Sequence, residues 1–388
     1  MINKLFFILC ISLPIFASPS YESSLTCKTC HPIIYDEFNN SAHKKSSIYS
    51  DPIHKAIWDK HPLKKKEKYT CAKCHTPGDT ELLKKLASNE PALPKDNKLQ
   101  NEEAISCVYC HSIQNIENHA KSNKNILSNK EKTFYSARED KKENKNVKYK
   151  IDTSYFGLVT DKSGSPFHNI DFTNKNFYDG KMCTGCHSHK QNSHQLDLCN
   201  MEISKKSDTK ENCISCHMPK VQGSFTTVND SKTHRYHGFA GAMHKPQMLA
   251  KYVKLSLNKQ TVGFNITIKN EANHSLLLHP LRVGELQVSI IRDKKVIKLN
   301  SAKFMRILGK DKKPTMPWIA DELIKDNHIK AKEVRKINFK ESLISGDQVE
   351  VRLGHYIVNP KVAKNLGLDK HKDLTKFTLF KKERFKIE

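Results

Sequence analysis

Strict alternation of apolar and polar residues is confined to the last third of this 388-residue chain. Residues 252–257, 261–268, 285–291, 348–353 and 376–380 place apolar side chains at every second position and are bounded by Asn, Gly and Asp. Side chains of an extended strand point alternately to two faces, so the pattern predicts half-buried β-strands, with turns at 270–274 and 346–347. Several short strands of this kind predict an all-β, sandwich-like domain over 249–388, a small open barrel being the other arrangement. Residues 20–248 carry few long periodic segments and predict short helices and loops. At the amino terminus, Lys4 precedes an apolar run over 5–16 and the small residue Ala17 follows it. This is the layout of a cleaved secretory signal peptide over 1–19, and the run is too short to cross about 30 Å of hydrocarbon as a helix. The mature chain is expected to be exported.

Charge narrows the class of partner. The chain has 66 Lys and Arg against 41 Asp and Glu, a formal charge of +25. An exported basic protein meets no genome, and no arginine-rich helix or zinc-finger spacing is present, so nucleic acid is excluded as a partner. The charge suits anionic redox proteins, and peripheral contact with anionic lipid headgroups. Apolar residues make up only 37 % of the chain, which leaves part of the interior to be filled by something other than side chains.

That filler is identified by five repeats of one pattern. Cys27-Lys-Thr-Cys30-His31, Cys71-Ala-Lys-Cys74-His75, Cys107-Val-Tyr-Cys110-His111, Cys183-Thr-Gly-Cys186-His187 and Cys213-Ile-Ser-Cys216-His217 are attachment signatures for c-type haem. Two thiols three positions apart reach both vinyl groups of a porphyrin, and the next residue presents an imidazole to the iron. Disulfides would not need a histidine after every pair, zinc ribbons would not explain the spacings, and a thioredoxin-like site occurs once per domain. Five haem c groups are therefore expected, held by these ten cysteines, with His31, His75, His111, His187 and His217 as proximal iron ligands. Cys10 lies in the signal segment, and Cys199 belongs to no motif and reads as a buried thiol. The motif starts are 44, 36, 76 and 30 residues apart, too close for separate cores. A mainly helical and irregular region packed around five haems follows, with residues 121–150 as an exposed insertion rich in Asn, Lys and Glu.

Low-spin transfer haems need a second strong axial ligand, and ten of the fifteen remaining histidines lie between residues 43 and 244. His43, His61, His119, His168 and His237 are the preferred distal ligands, with His54, His194, His234 and His244 as substitutes. His189 stands so close to His187 that it suits a hydrogen bond to a propionate. His274 and His279 are a further pair able to reach the terminal haem from the β domain.

Residues 107–113, 213–219 and His234-Arg-Tyr-His237-Gly-Phe-Ala-Gly241 resemble multihaem cytochromes of the c-554 type, a family that shares haem-packing patterns with octahaem hydroxylamine and tetrathionate enzymes. Residues 270–280 are similar to the Asn-x-x-x-Gly-His-x-x-Pro turn of the β domain that often follows such cytochromes, with Asn273 where that turn has glycine. The resemblance implies a periplasmic electron carrier with histidine on both sides of most irons, His237 or His234 among the distal ligands, and it permits one five-coordinate haem. Pentahaem nitrite reductases use lysine as a proximal ligand, whereas every motif here ends in histidine. The expected function is electron transfer between a quinol-linked membrane cytochrome or a soluble cytochrome and a terminal reductase or other redox partner. The alternative is an oxidoreductase acting on a small nitrogen or sulfur compound at a haem with an open position, with Arg235, Tyr236 and His244 as helpers.

Overall fold

The computed structural model describes residues 22–138, 149–154, 159–201, 211–228 and 231–388. The signal segment expected over 1–19 lies outside them. Among the described residues no helix is long and apolar enough to cross a membrane.

Two sheets packed face to face make up most of the chain after Tyr252. Strands Val253–Lys259, Phe264–Asn270 and Val334–Phe339 form a three-stranded antiparallel sheet. The opposing sheet runs Lys295–Lys298, Val283–Arg292, Gln348–Tyr356 and Thr378–Lys386, with Ala302–Phe304 also paired to Val283–Arg292. The alternation read in the sequence is the alternation of burial. Val253, Leu255, Phe264, Ile266 and Ile268 from the first sheet meet Leu286, Val288, Ile290, Val349, Val351 and Leu353 from the second in one core. Each such side chain contributes about 1.5–3 kcal/mol when removed from water. Gly263 closes the first hairpin at φ +75°, where a Cβ would stand 2.0 Å from the Phe339 carbonyl oxygen, so only glycine fits. Asp347 in the turn before Gln348–Tyr356 is buried, and both its oxygens accept from Arg292 at 2.8 and 2.7 Å.

The amino-terminal part lacks a comparable aliphatic core. Its helices are short: Ser24–Lys28, Pro32–Asn39, Pro52–Lys60, Thr80–Ala87 and single turns at the haem motifs. One modest cluster joins Ile48, Trp58, Tyr69, Ala72, Leu82 and Ala92. Beyond the short helices, two-stranded ribbons occur that the sequence pattern did not reveal, for example Ile113–Glu117 with Lys124–Leu127 and His189–Gln191 with Asp197–Asn200. Strands of three to five residues are too short to show a period. Two of them correct the reading of 121–150 as an exposed insertion. Lys124–Leu127 pairs in a ribbon and Thr133–Tyr135 runs parallel to Asn169–Asp171, with Ser128, Thr133 and Tyr135 buried. Residues 139–148 of that stretch lie outside those described.

The two parts share an interface. Ile53, Ala56 and Ile57 of helix Pro52–Lys60 pack on Leu281, Val358, Ala363, Leu366, Leu368 and Leu374. Asn192 donates to the carbonyls of Pro317 and Ala320 at 2.8 and 2.6 Å.

Candidate haem centres

Each Cys-x-x-Cys-His motif is one helical turn. The amides of His31, His75 and His187 donate to the carbonyls of Cys27, Cys71 and Cys183 at 2.8, 3.0 and 2.9 Å. Ser106 caps the turn Cys107–His111, and Asn212 with Ser215 forms a capping box on Cys213–His217. Rigid caps hold thiols and imidazole in one geometry. None of the eleven described cysteines is in a disulfide. Thiols of different motifs touch: Cys27 against Cys107, Cys74 against Cys186, and Cys183 against Cys213.

Four of the motif histidines face a second imidazole across a gap of one size. Ring centres are 6.4 Å apart for His31 and His168, 5.9 Å for His43 and His187, 6.4 Å for His111 and His237, and 6.0 Å for His217 and His274. Two metal–imidazole bonds of about 2 Å put ring centres about 6 Å apart, so each pair fits one iron between its rings.

The protons agree with that use. A backbone carbonyl can only accept, so a ring nitrogen facing one carries hydrogen and leaves the other nitrogen free to bind metal. Nδ1 of His31, His75, His111 and His217 donates to the carbonyls of Phe225, Ser46, Tyr135 and Ala240 at 2.6, 3.0, 2.7 and 2.6 Å. On the opposing side, Nδ1 of His237 and His274 donates to the carbonyls of Arg235 and Ser275 at 2.6 and 2.9 Å. His43 Nδ1 is buried without a partner, and its ring stands edge-on to Phe239 at 4.1 Å. Burial keeps three of these rings in the neutral form that ligates: His43 and His237 are pushed down to about 3 and His75 to about 4.

Two preferred distal histidines, His61 and His119, face no motif histidine among the described residues. His61 Nδ1 accepts from the Leu63 amide at 3.2 Å, which places the proton on Nε2 and removes the lone pair a metal would need. Its ring lies 5.9 Å from Trp58 and 5.0 Å from Trp318. His119 sits at the surface with Nε2 3.3 Å from Glu117. His274 takes the place opposite the last motif, held there because buried Asn270 donates to the carbonyls of His274 and Lys330 at 3.0 and 2.8 Å. The substitutes have other partners. His234 lies between the Gly223 carbonyl and Glu37, His194 donates its amide to Asn192, and His244 Nε2 meets Tyr236 at 2.6 Å. His189 Nε2 bonds the His119 carbonyl at 2.8 Å.

His75 is the exception. The ring beside it is His54, only 3.9 Å away, and both rings bond the Ser46 carbonyl at 3.0 Å. That spacing leaves no room for iron between them, so His54 braces His75 from its own side. Among the described residues no ring faces His75 at the spacing of the other four pairs.

Residues 26–112, which hold the first three motifs, match the family described as cytochrome c554 and c-prime. The whole fold is similar to a penta-heme cytochrome c552 from Thermochromatium tepidum, with a TM-score of 0.69, 20 % identity, and coverage of 94 % of this chain and 99 % of that one. No curated protein matches the chain.

Proposed function

We propose, on the premise that this chain is a multihaem c-type cytochrome holding covalent haem c at its Cys-x-x-Cys-His turns, that it carries electrons in the periplasm through five haems, four of them ligated by histidine on both faces. The ligand pairs are His31 with His168, His187 with His43, His111 with His237, and His217 with His274. The shared gap of 5.9–6.4 Å between these rings carries the reading. Haem supplies the one-electron chemistry, while the chain fixes axial ligands, burial and tautomer, which set the potentials. The touching thiols support an order in which the haem of the first motif neighbours the third, the second neighbours the fourth, and the fourth neighbours the fifth. Partners are other redox proteins, a quinol-linked membrane cytochrome on one side and a periplasmic reductase or cytochrome on the other, steered by the basic surface.

The test is the ferric spin state with the mass of the denatured chain. Five porphyrins per chain with four low-spin haems support the reading; fewer porphyrins, or several high-spin haems, would sink it.

A second reading has its own observation. The missing partner ring at His75 supports an open position on that haem, where a small nitrogen or sulfur compound could be oxidised or reduced. Arg235, Tyr236 and His244 do not support it: Arg235 is exposed, and Tyr236 and His244 bond to each other near His237 rather than His75.

A further inference from the structure

The four ring pairs differ in how their outer nitrogens are held. In three of them a carbonyl takes the Nδ1 proton on both faces. For His31 and His168 these are Phe225 and Asn169, at 2.6 and 3.3 Å. For His111 and His237 they are Tyr135 and Arg235, at 2.7 and 2.6 Å, and for His217 and His274 they are Ala240 and Ser275, at 2.6 and 2.9 Å. His187 and His43 have no such bond. Among the described residues none hydrogen-bonds the His187 ring. His43 Nδ1 is covered by protein atoms with no acceptor among them, so neither water nor a haem propionate reaches it. Phe239 packs on that ring with centres 4.1 Å apart. It is clamped there at φ +55°, a costly conformation for a bulky residue. On one side the His237 amide donates to Glu37 at 2.8 Å; on the other the Ala240 backbone exchanges two bonds with His217, at 2.9 and 2.6 Å.

A carbonyl on Nδ1–H raises the basicity of a ligating imidazole, which favours ferric over ferrous iron and lowers the potential. Without that bond the ferric state is less stabilised, and a sealed apolar flank adds to this because ferric iron carries one more positive charge. We propose that the haem between His187 and His43 has the highest midpoint potential of the four paired haems and is where the first electron comes to rest. The inference rests on the axial pairs proposed above. This haem also stands at a junction, since thiols of the fourth motif touch those of the second and the fifth. The third is joined to it by Asn125, which donates to the Tyr109 hydroxyl at 3.1 Å and to Cys186 Sγ at 3.6 Å. Gly185 admits Asn125, because a Cβ there would stand 1.7 Å from its Oδ1. Electrons arriving from any of three neighbours therefore collect on one haem.

Holoprotein is titrated potentiometrically, following haem absorbance and the ferric low-spin signals, for wild type, His43→Met, Phe239→Ala and His237→Met. Methionine as an axial ligand raises a haem's potential, so the wave that moves identifies the haem. The low-spin wave of highest potential is expected to move up in His43→Met and to hold its place in His237→Met, where a lower wave moves instead. Phe239→Ala opens the flank of His43 to water, an acceptor for Nδ1, and should lower that same top wave. A lower wave moving in His43→Met, the wild-type top wave moving in His237→Met, or a top wave that does not fall in Phe239→Ala would overturn the assignment and leave the axial pairs standing. The His237→Met arm decides even where His43→Met yields no holoprotein. Potentials and spin states all unchanged in His43→Met would remove His43 as a ligand, and the pairing and the assignment with it.

Discussion

An imidazole whose Nδ1 donates to a carbonyl keeps its Nε2 lone pair, whereas one whose Nδ1 accepts from an amide has lost it. His274 is of the first kind and His61 of the second. Replacing His274 by alanine should convert one haem in five to high-spin, read as a new ferric high-spin signal. Replacing His61 by alanine should leave every spin state unchanged and cost about 1 kcal/mol of stability through the lost stacking on Trp58 and Trp318, measured by thermal denaturation. The five candidate proximal histidines were legible from sequence because each directly follows the second cysteine of its motif. Distal ligands have no such local rule. His61 looked like His43, His168 and His237 in sequence, and its place between Trp58 and Trp318 with a bond to the Leu63 amide, rather than opposite a motif histidine, appears only in the structure.

At the scale of elements, the turn 270–274 carries His274 from the sandwich to within 6.0 Å of the His217 ring. Asn270 is buried, accepts from the Ala272 amide at 3.0 Å and donates across to Lys330 and His274. Asn270→Ala removes the side-chain donor to the His274 carbonyl and one of two donors to the Lys330 carbonyl, which also accepts from the Glu333 amide, and should cost about 1–3 kcal/mol in denaturant unfolding. It should also loosen His274 enough for the high-spin signal of His274→Ala to appear in part. The long strands were visible as alternation because one face of each is buried against the other sheet. Helices Pro360–Leu366 and Lys372–Thr375 were not foreseen: each is at most two turns long, and they pack as a cap with Leu281 and Val358 rather than by their own periodicity.

At the scale of the molecule, two physical properties should be measurable. The first is acid sensitivity. His328 is buried beside the core, and desolvation pushes it from an ordinary 6.5 to about 4, with Asp326 pulling the other way. The unfolded chain therefore binds this proton more readily than the folded one, so the contribution is complete above pH 6.5 and is lost as pH falls from there towards 4. Melting temperature should decline through that window, and less steeply in His328→Gln. The second is salt. With a formal charge of +25, electron exchange with an anionic redox protein should slow as ionic strength rises, seen by stopped-flow mixing. A rate indifferent to salt would show that the basic surface does not steer partners.

Sequence alone determined the cofactor and its number of attachment sites, because thioether chemistry needs two thiols and a histidine within five consecutive residues. It also determined the sandwich strands, because a half-buried strand writes its two faces into alternate positions. Tertiary structure decided which imidazole stands opposite which, since His43 and His187 or His31 and His168 are brought to 6 Å across long stretches of chain. Among the described residues it also left His75 with no ring at that spacing. These are facts about pairs of distant residues, and the energy that sets them comes from packing and hydrogen bonds between elements, which no local pattern records.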